Sequence, residues 1–264
     1  MAERLPAIRL QPKRIVDWAS FVGSSRETLF RAYPHASVLA VERCAKRRDA
    51  TAAARVDPWW STRRWRGADS SEVTTMADLG AGQGQLLWAN MSLHGEADPQ
   101  AVMRQWQHSL AVDGFVMFST LGPGSLRALA AIYAEAGWPA PFAPFVDMHD
   151  LGDMLIEAGF ADPVMDQEEI ELTWPTGAAL LTELRQLGGN VANRRAPGLR
   201  TPRWRRQLID LLQARANASG RIGLGFEIVY GHAFKVAPRP PLAAETAVSL
   251  DDLRAMLRAG RTRT

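Results

Sequence analysis

The residues best suited to chemistry in this chain are glycines and acids at strand ends. Asp78-Leu-Gly-Ala-Gly-Gln-Gly84 has the spacing of a loop that turns sharply and approaches a nucleotide cofactor with no Cβ in the way. Such a loop should leave a buried strand and start a helix. A second strand should follow, ending in an acid for the ribose hydroxyls. Glu72-Val-Thr-Thr-Met-Ala, before the loop, is only half apolar, and the next clear strand, Phe115–Thr120, ends in Ser and Thr. An earlier pair meets the topology better: Ile15-Val-Asp-Trp-Ala, a helix, and then Val38-Leu-Ala-Val-Glu42. Glu42 stands where a ribose-binding acid belongs, although an acid at a strand end also serves as a helix cap or a solvated charge.

Other chemistries find less support. His94, His149 and His232 lie in separate elements without paired ligand spacing, which reads as structural histidine rather than metal ligation. Cys44 is the only cysteine, excluding an internal disulfide and a cysteine-rich metal site. No nucleophile elbow, phosphate-binding loop or paired-carboxylate arrangement stands out. Lysine occurs only at Lys13, Lys46 and Lys235, so arginine carries nearly all the positive charge. Its planar guanidinium favours carboxylate or phosphate. The arginines cluster at Arg63-Arg64-Trp65-Arg66 and from Arg194 to Arg206. Most of them read as a solvated surface. As a binding face they fit an acidic protein partner as well as nucleic acid, although a nucleic-acid reader usually shows a denser basic stripe and a recognisable module, which disfavours nucleic acid. Trp59, Trp60 and Trp65 read either as a stacking surface or as an aromatic flap over the sheet.

The elements that must position these residues alternate between strand and helix. After the first strand, Ser24–Tyr33 reads as a helix, and another follows Glu42 from Arg43 to Arg55. Val73–Asp78 is a weak strand and Gln85–Asn90 a stronger one. Val102, Met103, Trp106 and Leu110 give Pro99–Leu110 a helical period. Asp113-Gly114 then predicts a tight turn before the buried strand Phe115–Thr120. Helices are expected over Ser125–Gly137, Asp150–Gly159, Ala178–Leu187 and Arg203–Ala216. Pro163–Asp166 and Glu169–Trp174 read as separate short strands, and Phe226–Phe234 as a long closing one. This order predicts an α/β, Rossmann-like fold: a mostly parallel sheet with a late antiparallel strand and helices on both faces.

The 264 residues, 47% hydrophobic and 22% charged, suit one domain over 1–237. Pro-Arg-Pro-Pro opens a linker at Pro238, and residues 238–264 end in a capped amphipathic helix, Ser249–Gly260. No apolar run reaches the ~20 residues that span a bilayer. Met1-Ala-Glu-Arg-Leu-Pro has no apolar stretch of a secretory signal. The expectation is a cytoplasmic protein.

A family resemblance begins at Leu86-Leu-Trp-Ala-Asn-Met-Ser-Leu-His94. This segment resembles the fourth-strand motif of class I S-adenosylmethionine-dependent methyltransferases, in particular malonyl-acyl-carrier-protein O-methyltransferase of biotin synthesis. Ala111–Leu126 resembles that family's fifth strand and exit loop. Phe145–Asp166 resembles the following helix and strand, and Phe226–Lys235 its last strand. The resemblance implies methyl transfer from S-adenosylmethionine to the free carboxylate of a malonyl thioester on acyl carrier protein. It also implies an arginine that anchors that carboxylate; Arg185, Arg194 and Arg195 are the candidates, with no choice among them.

The family's glycine loop aligns with Asp17-Trp-Ala-Ser-Phe-Val-Gly23. Ala19 and Phe21 replace its first two glycines, Gly23 survives, and the Phe21 ring is expected to project into the cofactor's place. Asp17, Ala19, Gly23 and Glu42 are thereby implied cofactor residues, together with Asn90 and Met91 on the methyl-transfer face. Asp78 would pair with the adenine amine or is an ordinary loop acid. The substituted loop also motivates an alternative, a catalytically inactive pseudoenzyme on the same fold that binds a protein partner.

Overall fold

In the computed structural model, which describes residues 1–55, 72–187, 190–192 and 199–237, the apolar runs become seven strands of one sheet. They are β1 (Arg14–Trp18), β2 (Ser37–Glu42), β3 (Glu72–Thr75), β4 (Gly84–Ala89), β5 (Leu110–Leu121), β6 (Ala161–Trp174) and β7 (Ile222–Phe234). Their order is β3-β2-β1-β4-β5-β7-β6. The pairings from β3 through β5 are parallel, and β7 runs antiparallel to both neighbours. The sheet is therefore the Rossmann-like one that the alternation of elements predicts.

The described helices are α1 (Ser20–Gly23), α2 (Arg26–Ala32), α3 (Ala45–Ala54), α4 (Pro99–Ser109), α5 (Arg127–Glu135), α6 (Met148–Glu157), α7 (Gly177–Gln186) and α8 (Pro202–Gln213). Strand period two sends neighbouring side chains to opposite faces, and the central strands are buried on both. Val16, Trp18, Leu87, Val116 and Phe118 enter one core with Met103 and Trp106 of α4 and Leu151 and Leu155 of α6. Ile15, Leu86, Trp88, Phe115 and Met117 enter the other with Leu29 and Tyr33. α4 starts where Asp98 accepts the Ala101 amide at 2.8 Å and Pro99 occupies the first turn, where a missing N–H costs nothing. Its Trp106 meets Trp18 edge-on, with ring centroids 6.1 Å apart.

Three local expectations change. Asp113-Gly114 is no turn between elements: β5 runs through it, with Asp113 at φ 63° donating its N–H to Lys235 O and the register with β4 shifting beside it. An irregularity in β5 absorbs the three extra residues, since Gly84 pairs with Leu110 and Leu86 with Phe115. β6 is one strand of 14 residues rather than two. It lies at the sheet edge with most side chains in solvent, so no apolar alternation marks its middle. The helix expected from Ser24 is shorter, and a separate turn, α1, precedes it.

Leu121 of β5 pairs with Ile228, so residues 222–227 of β7 continue past the end of β5 beside β6 alone. Trp174, Ile222 and Leu224 on this overhang meet Ile132, Leu180, Leu208 and Leu212 in a third core. That lobe rises above the carboxyl ends of the parallel strands. Among the described residues no helix is long and apolar enough to cross a membrane. Trp59–Arg66 and the expected tail, 238–264, lie outside the described residues.

Candidate functional site

In a doubly wound sheet, ligands bind outside the carboxyl ends of the strands where the strand order reverses. Here that point lies between β1 and β4. A chamber of about 460 Å³ opens there, lined by Ala19 and Val22 after β1, Arg43 after β2, and Met91 after β4. Its far wall is apolar, with Leu129, Tyr133, Phe142, Leu184 and Phe226 from the lobe. The volume suits a small-molecule site.

The exit from β1 keeps a glycine-like path without the glycine. Ala19 sits at φ 52°, ψ 44°, and Ser24, at the end of α1, at φ 48°. Left-handed backbone costs a side-chain-bearing residue roughly 1–2 kcal/mol. Hydrogen bonds hold it: Ala19 donates its N–H to Val41 O at 2.8 Å and accepts from Val22 and Gly23 at 3.0 and 3.1 Å. The helical turn of α1 redirects Phe21. Its ring is 53% exposed and is not part of the chamber wall, so the expected obstruction is absent and Val22 lines the cavity instead.

Both acids of the region are buried. Asp17 Oδ2 accepts from Ser20 Oγ at 2.5 Å and from the Arg55 guanidinium at 3.0 Å, and Arg55 also reaches Ser20 Oγ at 2.6 Å. Burial pushes the Asp17 carboxyl up to about 6, against the pull of Ser20 and Arg55. Glu42 Oε1 accepts from the Phe21 amide at 2.8 Å and from Thr51 Oγ1 at 2.7 Å. Glu42 Oε2 is buried and receives no hydrogen bond from the described residues. The residue is neither solvated nor a cap, since α3 begins three residues later without a side-chain cap. It is a carboxylate with one acceptor used and one unused.

Asn90 ties the β4 exit to its surroundings: Nδ2 donates to Gly23 O at 2.8 Å, and Oδ1 accepts from Ser119 Oγ at 2.8 Å. Met91 turns at φ 50° into the chamber wall. Asp17, Ala19, Gly23, Glu42, Asn90 and Met91 thus gather where β1, β2 and β4 end, and of these Ala19 and Met91 line the chamber. Asp78 does not join them. It lies beyond β3, exposed, accepting from Thr75 Oγ1 at 2.5 Å. The glycine loop from Asp78 to Gly84 leads into the amino end of β4, on the sheet edge opposite the chamber. Gly84 is needed there for packing, because a Cβ would come within 2.8 Å of Val16 Cγ2. Arg185 lines a separate hollow, and Arg194 and Arg195 lie outside the described residues.

Sequence reading missed Arg43, Arg47, Tyr133 and the aromatic wall, which come from separate elements and share no motif. It took His94 as structural. His94 is largely buried, and burial lowers its pKa, yet it borders both the chamber and a neighbouring hollow of about 470 Å³. Among the described residues no cluster of His, Cys, Asp and Glu could hold a metal.

No family model matches the chain. Malonyl-[acyl-carrier protein] O-methyltransferase of Laribacter hongkongensis (strain HLHK9) is 34% identical over 244 residues, which is 91% of this chain and 82% of the relative. The fold is similar to that of a Bacillus halodurans C-125 protein assigned to the methyltransferases, with TM-score 0.59 and 12% identity over 89% of this chain and 97% of that one. Phosphoethanolamine N-methyltransferase 2 of Haemonchus contortus, in complex with S-adenosylhomocysteine, superposes with TM-score 0.51 and 10% identity, over 89% of this chain and 52% of that one.

Proposed function

The chain belongs to the family of malonyl-acyl-carrier-protein O-methyltransferases, and from that membership we propose that it methylates the free carboxylate of a malonyl thioester, with S-adenosylmethionine as methyl donor and acyl carrier protein as bearer of the substrate. The observation that carries this reading is the chamber at the β1/β4 switch point, with Glu42 buried at the end of β2 directly before Arg43 of the chamber wall.

The residues fit such a cofactor. Glu42 Oε2 is a buried acceptor without a partner among the described residues, at the end of β2, the position from which a carboxylate takes ribose hydroxyls. Ala19 holds the left-handed turn that brings backbone to the chamber, and Phe21 leaves it clear. Asn90, Met91 and Ser92 would border the reacting end at the β4 exit. When bound, S-adenosylmethionine supplies a methyl group on a sulfonium leaving group.

The substrate carboxylate is already nucleophilic, so no general base is required. What the chain contributes is alignment and exclusion of water. Val22, Met91, Leu121 and Phe226 make the walls apolar, and Arg43 and Arg47 bring positive charge to one side. Arg43 also pairs with Glu96 at 2.5 Å, which holds the guanidinium at the β2 exit. His94, kept neutral by burial, adds no charge to compete for the carboxylate.

The test is direct. Purified protein, S-adenosylmethionine and malonyl-carrier protein should give a carrier heavier by one methylene and sensitive to esterase. Absence of that product, together with no calorimetric binding of S-adenosylhomocysteine at millimolar concentration, would sink the reading.

A further inference from the structure

Beside the chamber lies a second hollow, of about 340 Å³, between α7 and α8. Its rim carries Arg185 of α7, Arg200, and Arg205 of α8, and all three are exposed. None of these, nor Arg203 or Arg206, forms an ion pair among the described residues. No acid occurs from Leu199 to Ile209. The guanidinium of Arg200 stacks 4.4 Å over the Trp204 ring, which fixes its plane. The indole N–H of Trp204 is buried and has no acceptor among the described residues. Such a rim, permanently charged and rich in planar donors, suits a phosphate on an acidic surface.

The hollow and the chamber lie on either side of a shared wall. Tyr133 lines both, and on α7 Leu181 and Arg185 face the hollow while Leu184 faces the chamber. A ligand anchored by phosphate at the rim would pass Tyr133 along an uncharged stretch to reach Met91 and Ala19. A carrier domain offers those features in that order: an acidic surface, a phosphodiester at the root of its arm, an uncharged arm, and the acyl group at the tip.

We propose that the arginine-rimmed hollow between α7 and α8 is the docking site of the acyl-bearing carrier domain. Arg185, Arg200 and Arg205 take the phosphate, and the arm runs past Tyr133 into the chamber. This rests on the reading of the chamber as a methyl-transfer site for carrier-bound malonate.

The test measures binding of phosphopantetheinylated, malonylated carrier protein by fluorescence anisotropy at low and physiological salt. The Arg200→Glu/Arg205→Glu variant should bind about tenfold or more weakly and show a raised KM for the carrier substrate, because charge reversal opposes docking. Its affinity for S-adenosylhomocysteine, measured separately by calorimetry, should not change. The Arg200→Lys/Arg205→Lys variant, which keeps the charge and loses the planar fork, should fall between. If wild type methylates the carrier substrate and the reversed variant does so with the same KM, the docking site is wrong and the reaction stands. If wild type binds carrier through these arginines yet forms no ester, the docking site stands and the reaction fails. Lack of carrier binding by wild type, or preferential binding of a short RNA, overturns the proposal.

Discussion

At the scale of single residues, the site turns on two buried carboxylates, each with one oxygen hydrogen-bonded and one without a partner among the described residues. Glu42 has one oxygen satisfied by Phe21 N–H and Thr51, and one left over. Glu42→Gln keeps the first role but brings a donor toward any ribose hydroxyl. Affinity for S-adenosylhomocysteine should fall about tenfold, the scale of one charge-assisted hydrogen bond; calorimetry reads it, and an unchanged Kd removes Glu42 from the site. Asp17 differs in its partner: its Oδ2 pairs with the Arg55 guanidinium. Arg55→Ala would leave a buried carboxylate without its cation, and should cost about 3–5 kcal/mol in denaturant unfolding. Asp17 also has a pH signature. Its folded value of about 6 lies above the ordinary carboxylate value, so the folded state holds the proton more tightly. Stability from this group therefore rises as pH falls from about 6 to about 4, where the unfolded Asp also protonates. Asp17→Asn should abolish that rise in a series of melts across pH, and an unaltered profile would refute the assignment.

At the scale of elements, legibility followed burial. The central strands and α4 are readable because both faces of the sheet and one face of the helix are packed, so unbroken apolar runs are written in Leu86–Ala89 and Phe115–Phe118 and spacings of three and four in Met103, Trp106 and Leu110. The middle of β6 was not readable, because an edge strand in solvent has no apolar pattern to keep. The same reasoning separates the two glycine loops: the spelled motif at Gly80–Gly84 serves packing, while the path a cofactor needs survives at Ala19 through hydrogen bonds that leave no mark in residue type. Packing also makes a prediction here. Gly231 of β7 faces Phe118 of β5, and an added Cβ would meet its ring at 2.4 Å and Met165 Sδ at 2.8 Å. Gly231→Ala should destabilise by about 1–3 kcal/mol as overpacking, seen as a lower denaturation midpoint; no loss would mean the sheet shifts freely at β5/β7.

At the scale of the whole molecule, the chamber joins parts that sequence keeps far apart: the β1 and β4 exits on one side, and the lobe of α5, α7 and the β7 overhang on the other. No motif could announce this wall, since Tyr133, Leu184 and Phe226 are ordinary core types brought together by the length of β6 and β7. A ligand that fills the chamber must therefore couple the two halves. A ligand binding only the native state stabilises it by mass action, about 2.7 kcal/mol at one hundred times Kd. Hydrogen exchange with saturating S-adenosylhomocysteine should slow amides of α1 and the β4 exit, Asn90–Ser92, where the cofactor would lie. Malonyl-carrier protein added to that complex should extend protection to α7 and to residues 222–228 of β7. Protection confined to α1 and the β4 exit with both ligands present would mean that substrate does not use the lobe, and that the chamber serves the cofactor alone.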